Sequence, residues 1–128
     1  MRKMVQELMS TPVLTTAPLT KAVDAALVIA LHDITALPVV RDGRLVGMFS
    51  EEDLLSAEPS SGQSAMHVCD LMGAASLTTT PQSDVDELAE EMLRCQAPSV
   101  PVLDHGRLVG IITRRDVELS SPCARRSR

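Results

Sequence analysis

Aromatic side chains are almost missing from this chain of 128 residues, which has no Trp, no Tyr and a single Phe, Phe49. Proteins that bind single-stranded nucleic acids stack the bases on aromatic side chains, so a platform of that kind is excluded. The formal net charge is −5 at pH 7, and the phosphate backbone repels a negative chain. The composition therefore argues against a nucleic-acid-binding protein.

Cysteines and long apolar runs are also scarce. Cys69, Cys95 and Cys123 lie far apart and form no C-x-x-C pair, which is typical of free thiols in a reducing compartment. No apolar run approaches the roughly 18 residues of a membrane span. The opening segment MRKMVQELMS lacks the apolar stretch of a secretory signal. We therefore expect a cytoplasmic protein that does not enter a membrane.

Signatures of catalysis are missing as well. His32, His67 and His105 are expected at a helix end, in a linker and in a hairpin turn, and no two of them have metal-ligand spacing on one element. The phosphate-binding patterns G-x-x-x-x-G-K and G-x-G-x-x-G do not occur. We expect no enzymatic activity, no metal site and no required cofactor.

What the chain does contain is an internal repeat. A shift of 63 residues (68 minus 5) aligns Val5–Leu55 with Val68–Glu118 without a gap, and roughly a third of the aligned positions are identical. VQELM then matches VCDLM, LTTAP matches LTTTP, and GRLVG occurs in both copies. Such self-similarity indicates two copies of one supersecondary unit. The predicted organisation is repeat 1 at 5–55, a linker rich in Pro, Gly and Ser at 56–67, repeat 2 at 68–119 and a flexible basic tail at 120–128.

Each repeat reads as strand, helix, strand, strand, helix after a short opening helix. Thr20 and Ser83 stand where the cap of the first long helix is expected. In repeat 2 the apolar residues of that helix recur with a spacing of three and four, which predicts an amphipathic helix. The segments RDGR and DHGR between two apolar runs predict hairpin turns. The fold class is therefore α/β.

These motifs together resemble the CBS domain, named for cystathionine β-synthase, and the tandem resembles a CBS pair or Bateman module. The resemblance rests on LM before the first strand, T-x-P after it, the P-V strand and the final G-h-h-[ST]-x-x-D, each present twice. It implies an α+β fold of two β-α-β-β-α repeats packed sheet to sheet with pseudo-twofold symmetry. Clefts between such repeats typically hold adenosyl ligands such as AMP, ATP or S-adenosylmethionine.

The resemblance also implies which residues bind the ligand. Asp53 and Asp116 are the acids of [ST]-x-x-D, and a carboxylate can accept hydrogen bonds from both ribose hydroxyls. Gly47 and Gly110, which have no Cβ, would let a base approach the strand. The other nucleotide-binding residues implied are Ser50, Thr113, Thr16, Val39, Met48, Thr79, Val102 and Ile111. The alternative is that [ST]-x-x-D is a capping box at a helix start, a role that is compatible with ligand binding.

The two repeats differ in the x-x pair of this motif. Repeat 1 has Glu51-Glu52, and repeat 2 has Arg114-Arg115. Two arginines near a helix start can pair with a phosphate, whereas two acids repel it. We therefore expect the Asp116 cleft to accept a phosphorylated adenosine, and the Asp53 cleft to be empty, structural or limited to a ligand of low negative charge. The alternative is that both pairs are solvated surface charges.

The first long helix of repeat 1 contains AALVIAL and has no polar face. A helix that is apolar all round is expected to be covered on both sides, and a second subunit is the simplest cover in so small a chain. We expect a homodimer with Leu27, Val28 and Leu31 at its interface.

The predicted function is that of a stand-alone regulatory protein. An adenosyl ligand (AMP, ADP, ATP or S-adenosylmethionine) would bind between the repeats, and an unknown protein partner would respond in trans. The alternative is a ligand-free module for dimerisation or protein interaction.

Overall fold

The computed structural model describes residues 3–56 and 66–120. Most of the predicted linker (57–65) and most of the predicted tail (121–128) lie outside the described residues. Helices and antiparallel hairpins alternate, which confirms the α/β class. In chain order the elements are α1 (Val5–Leu8), α2 (Ala22–His32), β1 (Leu37–Arg41), β2 (Arg44–Phe49), α3 (Glu51–Leu55), α4 (Val68–Leu71), α5 (Val85–Cys95), β3 (Ser99–Asp104), β4 (Arg107–Thr113) and α6 (Arg114–Ser120).

The elements form two compact units. The central unit is Leu14–Ala75 and contains α2, β1, β2, α3 and α4; the terminal unit is Met1–Val13 with Ser76–Arg128 and contains α1, α5, β3, β4 and α6. The opening helix of each repeat is thus part of the unit that the other repeat mainly builds. The units therefore do not coincide with the linear repeats of the sequence.

Backbone hydrogen bonds hold the exchanged helices in place. In the central unit the Val68 N–H donates to the Thr20 carbonyl at 2.8 Å, and the Cys69 N–H donates to the Pro18 carbonyl at 2.9 Å. In the terminal unit the Val5 N–H donates to the Ser83 carbonyl at 2.9 Å. The first amides of a helix have no partner within it, and these bonds satisfy them in helices of a single turn.

The hairpin turns are confirmed. Strands β1 and β2 pair antiparallel, as do β3 and β4. Asp42 and Gly43 have φ angles of 53° and 80°, and His105 and Gly106 have 52° and 81°. Two successive left-handed residues are what a tight hairpin turn needs, and Gly adopts that conformation without strain.

The predicted first strand of each repeat is reduced to a single bridge. Thr16 forms a single parallel bridge with Val39, and Thr79 forms the equivalent bridge with Val102. Pro18 and Pro81 follow two residues later, and a proline has no N–H with which to continue the ladder.

The cap positions of the two long helices are also corrected by one residue. The caps are Lys21 and Asp84, not Thr20 and Ser83. The Asp84 carboxylate accepts from the Asp86 N–H at 3.0 Å, whereas Lys21 has no side-chain oxygen with which to do so. Ser83 instead bonds the Thr80 hydroxyl at 2.8 Å in the preceding turn.

Helices α2 and α5 each cover the core of their own unit. Helix α5 buries Val85, Leu88 and Met92 and turns charged residues outwards, so its predicted amphipathic pattern is confirmed. Helix α2 buries the smaller residues Ala22, Ala25 and Ile29. Within the described ranges, no helix has the length and apolar character that crossing a membrane requires.

Candidate ligand-binding site

Five of the predicted ligand-binding residues lie in the central unit, four of them on β1, β2 and the start of α3 and the fifth, Thr16, before α2. Val39 pairs with Gly47 and Pro38 with Met48 across the hairpin, while Ser50 ends the second strand and caps α3. The side chain of Val39 is wholly buried in the core, as is that of Val102 in the terminal unit. These two valines therefore position the strands, and their side chains are not exposed to solvent.

Both [ST]-x-x-D motifs form capping boxes. The Ser50 N–H donates to Asp53 Oδ2 at 2.8 Å, and the Ser50 hydroxyl donates to the same oxygen at 3.2 Å. In the terminal unit the Thr113 N–H donates to Asp116 Oδ2 at 3.0 Å, and the Asp116 N–H donates to Thr113 Oγ1 at 3.2 Å. The capping alternative is thus realised in both repeats.

Capping does not use up either carboxylate. Only the Oδ2 atom of Asp53 or Asp116 takes these bonds, and no hydrogen bond to Oδ1 is formed within residues 3–56 and 66–120. Both acids are half-buried. A carboxylate has about four lone-pair sites, so each acid can cap its helix and still accept hydrogen bonds from a ligand.

The glycines of the two GRLVG motifs have a role in packing. A Cβ atom on Gly47 would lie 2.8 Å from Met72 Sδ and 2.9 Å from the Gly73 carbonyl oxygen. A Cβ on Gly110 would lie 2.5 Å from Met9 Sδ. The methionine that follows each exchanged helix occupies the space on this side of each glycine, so the absence of a Cβ is needed for packing of these segments.

The next strand residues are occupied in the same way. The Met48 N–H donates to the Gly73 carbonyl at 2.8 Å, and the Gly73 N–H returns a bond to Met48 at 3.0 Å. Ile111 makes the equivalent pair of bonds with Ser10. The backbones of Met48 and Ile111 therefore hold the segments after α4 and α1, and only their partly exposed side chains are open to a ligand.

The arginine pair at the start of α6 is not symmetric. Arg115 is exposed, as Glu51 and Glu52 are in the other repeat, whereas Arg114 is half-buried. The Nε atom of Arg114 is buried and has no hydrogen-bond partner within the described part of the chain. The backbone N–H of Arg114 donates to the Pro98 carbonyl at 2.9 Å. A buried guanidinium donor without a partner is rare, and an anion is the ligand that satisfies it best.

A cavity of about 410 Å³ lies in the central unit between α2, β1 and the Thr16 bridge. Its lining residues are Thr15, Thr16, Ala17, Thr20, Asp24, Ala25, Val28, Leu37 and Val40. Thr16 is thus brought to a pocket. Val28 lines the same cavity, while Leu27 and Leu31 of the predicted interface are 56% and 72% exposed. No motif of the sequence marks the cavity; its one trace there is Ala25, at the position where repeat 2 has Leu88.

The histidines and cysteines of the described residues form no metal site. No group of three or more His, Cys, Asp or Glu side chains comes together within 3–56 and 66–120. His32 Nδ1 lies 3.0 Å from the Val28 carbonyl oxygen, and His105 pairs at the surface with Asp104 at 2.8 Å. Cys69 and Cys95 are exposed free thiols, and Cys123 lies outside the described residues.

Comparison with known protein sequences finds relatives of two kinds. The chain is 26% identical over 117 residues to the CBS domain-containing protein YhcV of Bacillus subtilis, covering 91% of this chain and 84% of that one. It is 34% identical over 107 residues to an inosine-5′-monophosphate dehydrogenase of Thermoplasma acidophilum. That match covers 82% of this chain but only 21% of the enzyme, so it concerns a part of that protein.

Solved structures of similar fold include two with bound adenosyl compounds. CBSX2, known from Arabidopsis thaliana, has been solved in complex with AMP and matches with a TM-score of 0.81 at 28% identity, over 96% of this chain and 98% of that one. The CBS domain pair of MJ0100, in complex with 5′-methylthioadenosine and S-adenosyl-L-methionine, matches with a TM-score of 0.81 at 27% identity, over 93% and 95%.

The family model of the CBS domain matches residues 5–60 and again residues 68–118. Both repeats are thus covered, and the matched residues make up most of the chain. The capped [ST]-x-x-D helices, the paired P-V strands and the exchanged opening helices are the structural form of these two matches. The chain belongs to the CBS domain family, and its two repeats form a CBS pair.

Proposed function

We propose that this protein is a regulatory CBS pair that binds an adenosyl ligand and signals the bound state to a separate protein partner. The observation that carries the proposal is the Oδ1 atom of each capping carboxylate, which takes no hydrogen bond from the described residues. Asp53 and Asp116 are fixed by the helix starts through Oδ2, which leaves Oδ1 to accept hydrogen bonds from ribose hydroxyls. CBSX2 in complex with AMP and MJ0100 in complex with S-adenosyl-L-methionine support adenosyl compounds as the ligand class.

AMP, ADP, ATP and S-adenosylmethionine are the candidate ligands. The charged residues near Asp53 and Asp116 differ, so the two sites are proposed to prefer different ligands. Arg114 offers a buried guanidinium donor beside Asp116, while the corresponding positions near Asp53 carry Glu51 and Glu52. A phosphorylated ligand is therefore proposed for the Asp116 site. A ligand of low negative charge suits the Asp53 site.

Regulation, rather than catalysis, is the proposed role of the ligand. Binding shifts a protein between two arrangements only if the ligand favours one of them. The proposed ligand is the signal that causes such a shift. The protein is also proposed to be non-enzymatic, to require no cofactor and to act in the cytoplasm. A partner that distinguishes the two arrangements would read the signal.

A homodimer through α2 is part of the proposal. Leu27 and Leu31 are one helical turn apart on one face, and both are strongly exposed in the single chain. Val28, which lines the cavity next to them, would connect the interface to a ligand site. A ligand-free dimerisation module remains the second candidate, because the same exposed leucines favour it.

A dye-based thermal shift assay against the four ligands tests the proposal. A ligand at about 100 times its Kd stabilises the folded state by about 2.7 kcal/mol, which raises Tm by several degrees in a domain of this size. Asp116→Asn keeps an oxygen for the cap but loses the second acceptor, so the shift caused by a nucleotide should fall with little change in the Tm of the free protein.

Glu118→Gln is the matched control, since Glu118 is an exposed acid on the same helix. It should leave the shift unchanged. If none of the four ligands raises Tm, the ligand-free module is the better account. If Asp53→Asn and Asp116→Asn both leave every shift intact, the ligand binds without the capping carboxylates and the site proposed here is overturned.

A further inference from the structure

The cavity of the central unit has an apolar floor and a polar rim. Ala25 and Leu37 are buried and form the floor, while Thr15 and Asp24 are exposed and stand at the rim. Its volume of about 410 Å³ falls in the range of small-molecule pockets, which combine apolar walls with a few polar groups. None of Val39, Met48, Ser50 and Asp53 lines it, so the cavity is separate from the residues at the start of α3.

The two repeats differ in the size of one residue that lines the cavity. Ala25 on α2 corresponds to Leu88 on α5, and Leu88 is buried in the core of the terminal unit. A leucine at position 25 would extend into the space that the alanine methyl group leaves open, since Ala25 is itself a lining residue. Repeat 1 therefore has a small residue at the position where repeat 2 fills its core.

The polar groups of the cavity select against negative charge. They are the hydroxyls of Thr15, Thr16 and Thr20 and the carboxylate of Asp24. The backbone of Thr16 is already paired, because its N–H donates to the Pro38 carbonyl at 3.0 Å and its carbonyl accepts from the Val40 N–H at 2.9 Å. None of the described residues lining the cavity is Lys, Arg or His. A phosphate would meet a carboxylate there without any compensating cation.

We propose that this cavity binds an adenosine whose 5′ substituent carries no negative charge, neutral or cationic, with Asp24 accepting hydrogen bonds from its hydroxyl or amino groups. The apolar floor of Ala25, Val28 and Leu37 suits the face of a purine. The inference rests on the proposed adenosyl-sensing function and adds to it a nucleoside pocket in the central unit, apart from the sites at Asp53 and Asp116.

Adenosine and AMP, which differ only in the phosphate, are the probes. The full chain is labelled at the methyl groups of Ala, Val and Thr and titrated with each probe up to about 10 mM, a range that covers millimolar affinities. Adenosine should shift the methyl resonances of Ala25 and Val28. AMP should shift the same resonances with an affinity about tenfold lower, because its phosphate is repelled by Asp24.

Two variants and one control make the test specific. Ala25→Leu should remove the response to adenosine without changing the response of Thr113 to AMP. Asp24→Asn, at an exposed position that does not endanger folding, should bring the affinities for adenosine and AMP close together. Glu87→Gln is the control, since Glu87 is the exposed acid at the corresponding position of α5, and it should change neither titration.

The outcomes separate this inference from the proposed function. If AMP binds through Asp116 while adenosine leaves Ala25 and Val28 unmoved, the inference is overturned and the proposed function stands. If AMP binds the cavity as tightly as adenosine, or if Asp24→Asn changes neither affinity, the assignment by charge is also overturned. If no adenosyl compound binds anywhere on the chain, both are overturned.

Discussion

Replacing Gly47 by alanine tests how the exchanged helix α4 is held in the central unit. The new Cβ would lie 2.8 Å from Met72 Sδ and 2.9 Å from the Gly73 carbonyl oxygen. The methionine side chain can rotate away, but the carbonyl belongs to backbone that Met48 holds through hydrogen bonds of 2.8 and 3.0 Å. The methyl group therefore pushes the segment after α4 away from β2.

The expected magnitude follows from two opposing effects. Overpacking of this kind typically costs about 1–3 kcal/mol. Replacing Gly by Ala in a compatible conformation stabilises the folded state by about 0.4–1 kcal/mol, because it lowers the conformational entropy of the unfolded chain. We expect Gly47→Ala to lower the free energy of unfolding by about 1–2 kcal/mol, measured by urea denaturation followed by circular dichroism, since the chain has no Trp or Tyr for fluorescence.

Gly110→Ala is the internal comparison. Its nearest neighbours are three atoms of the Met9 side chain, at 2.5, 3.0 and 3.3 Å, and none of them is backbone. A long, flexible methionine can adopt another rotamer, so this variant should lose less stability than Gly47→Ala. Equal stability of Gly47→Ala and the wild type would refute the packing argument, as would a larger loss for Gly110→Ala.

The other predictions concern the surface of α2 and the start of α6. Leu27→Glu with Leu31→Glu should convert the proposed homodimer to a monomer in light scattering, because it places charges on the exposed apolar face; an unchanged dimer would show that the interface lies elsewhere. Arg114→Ala should weaken AMP binding about tenfold in calorimetry, the cost of one charge-assisted hydrogen bond, while Arg115→Ala, at an exposed position, should have little effect. Equal effects of the two arginine variants would contradict the role assigned to the buried Nε.

Structural features that depend on residues close together in the chain were predictable from the sequence. The turns at Asp42-Gly43 and His105-Gly106 depend on the φ preferences of residues within the turn itself. The capping boxes of Ser50 and Thr113 depend on a spacing of three residues along one helix start. Local chemistry suffices for such features, and for the family resemblance that they support.

Features made by distant residues were not predictable in this way. Nothing in VCDLM indicates that Val68 bonds the Thr20 carbonyl, or that Met72 fills the space beside Gly47. The cavity depends on the small size of Ala25, and its other lining residues include Thr16 and Leu37, which lie on other elements of the chain. These properties arise from tertiary packing, and the sequence pattern shows only that the residues are small or apolar.

The most direct test of the account is the calorimetric titration of AMP into the wild-type chain and into Asp116→Asn. The account predicts saturable binding to the wild type and a large loss of affinity in the variant, with the fold and the α6 cap retained. Binding of AMP with equal affinity to both proteins, or no binding to the wild type, would contradict the claim that the capping carboxylate also holds the ligand.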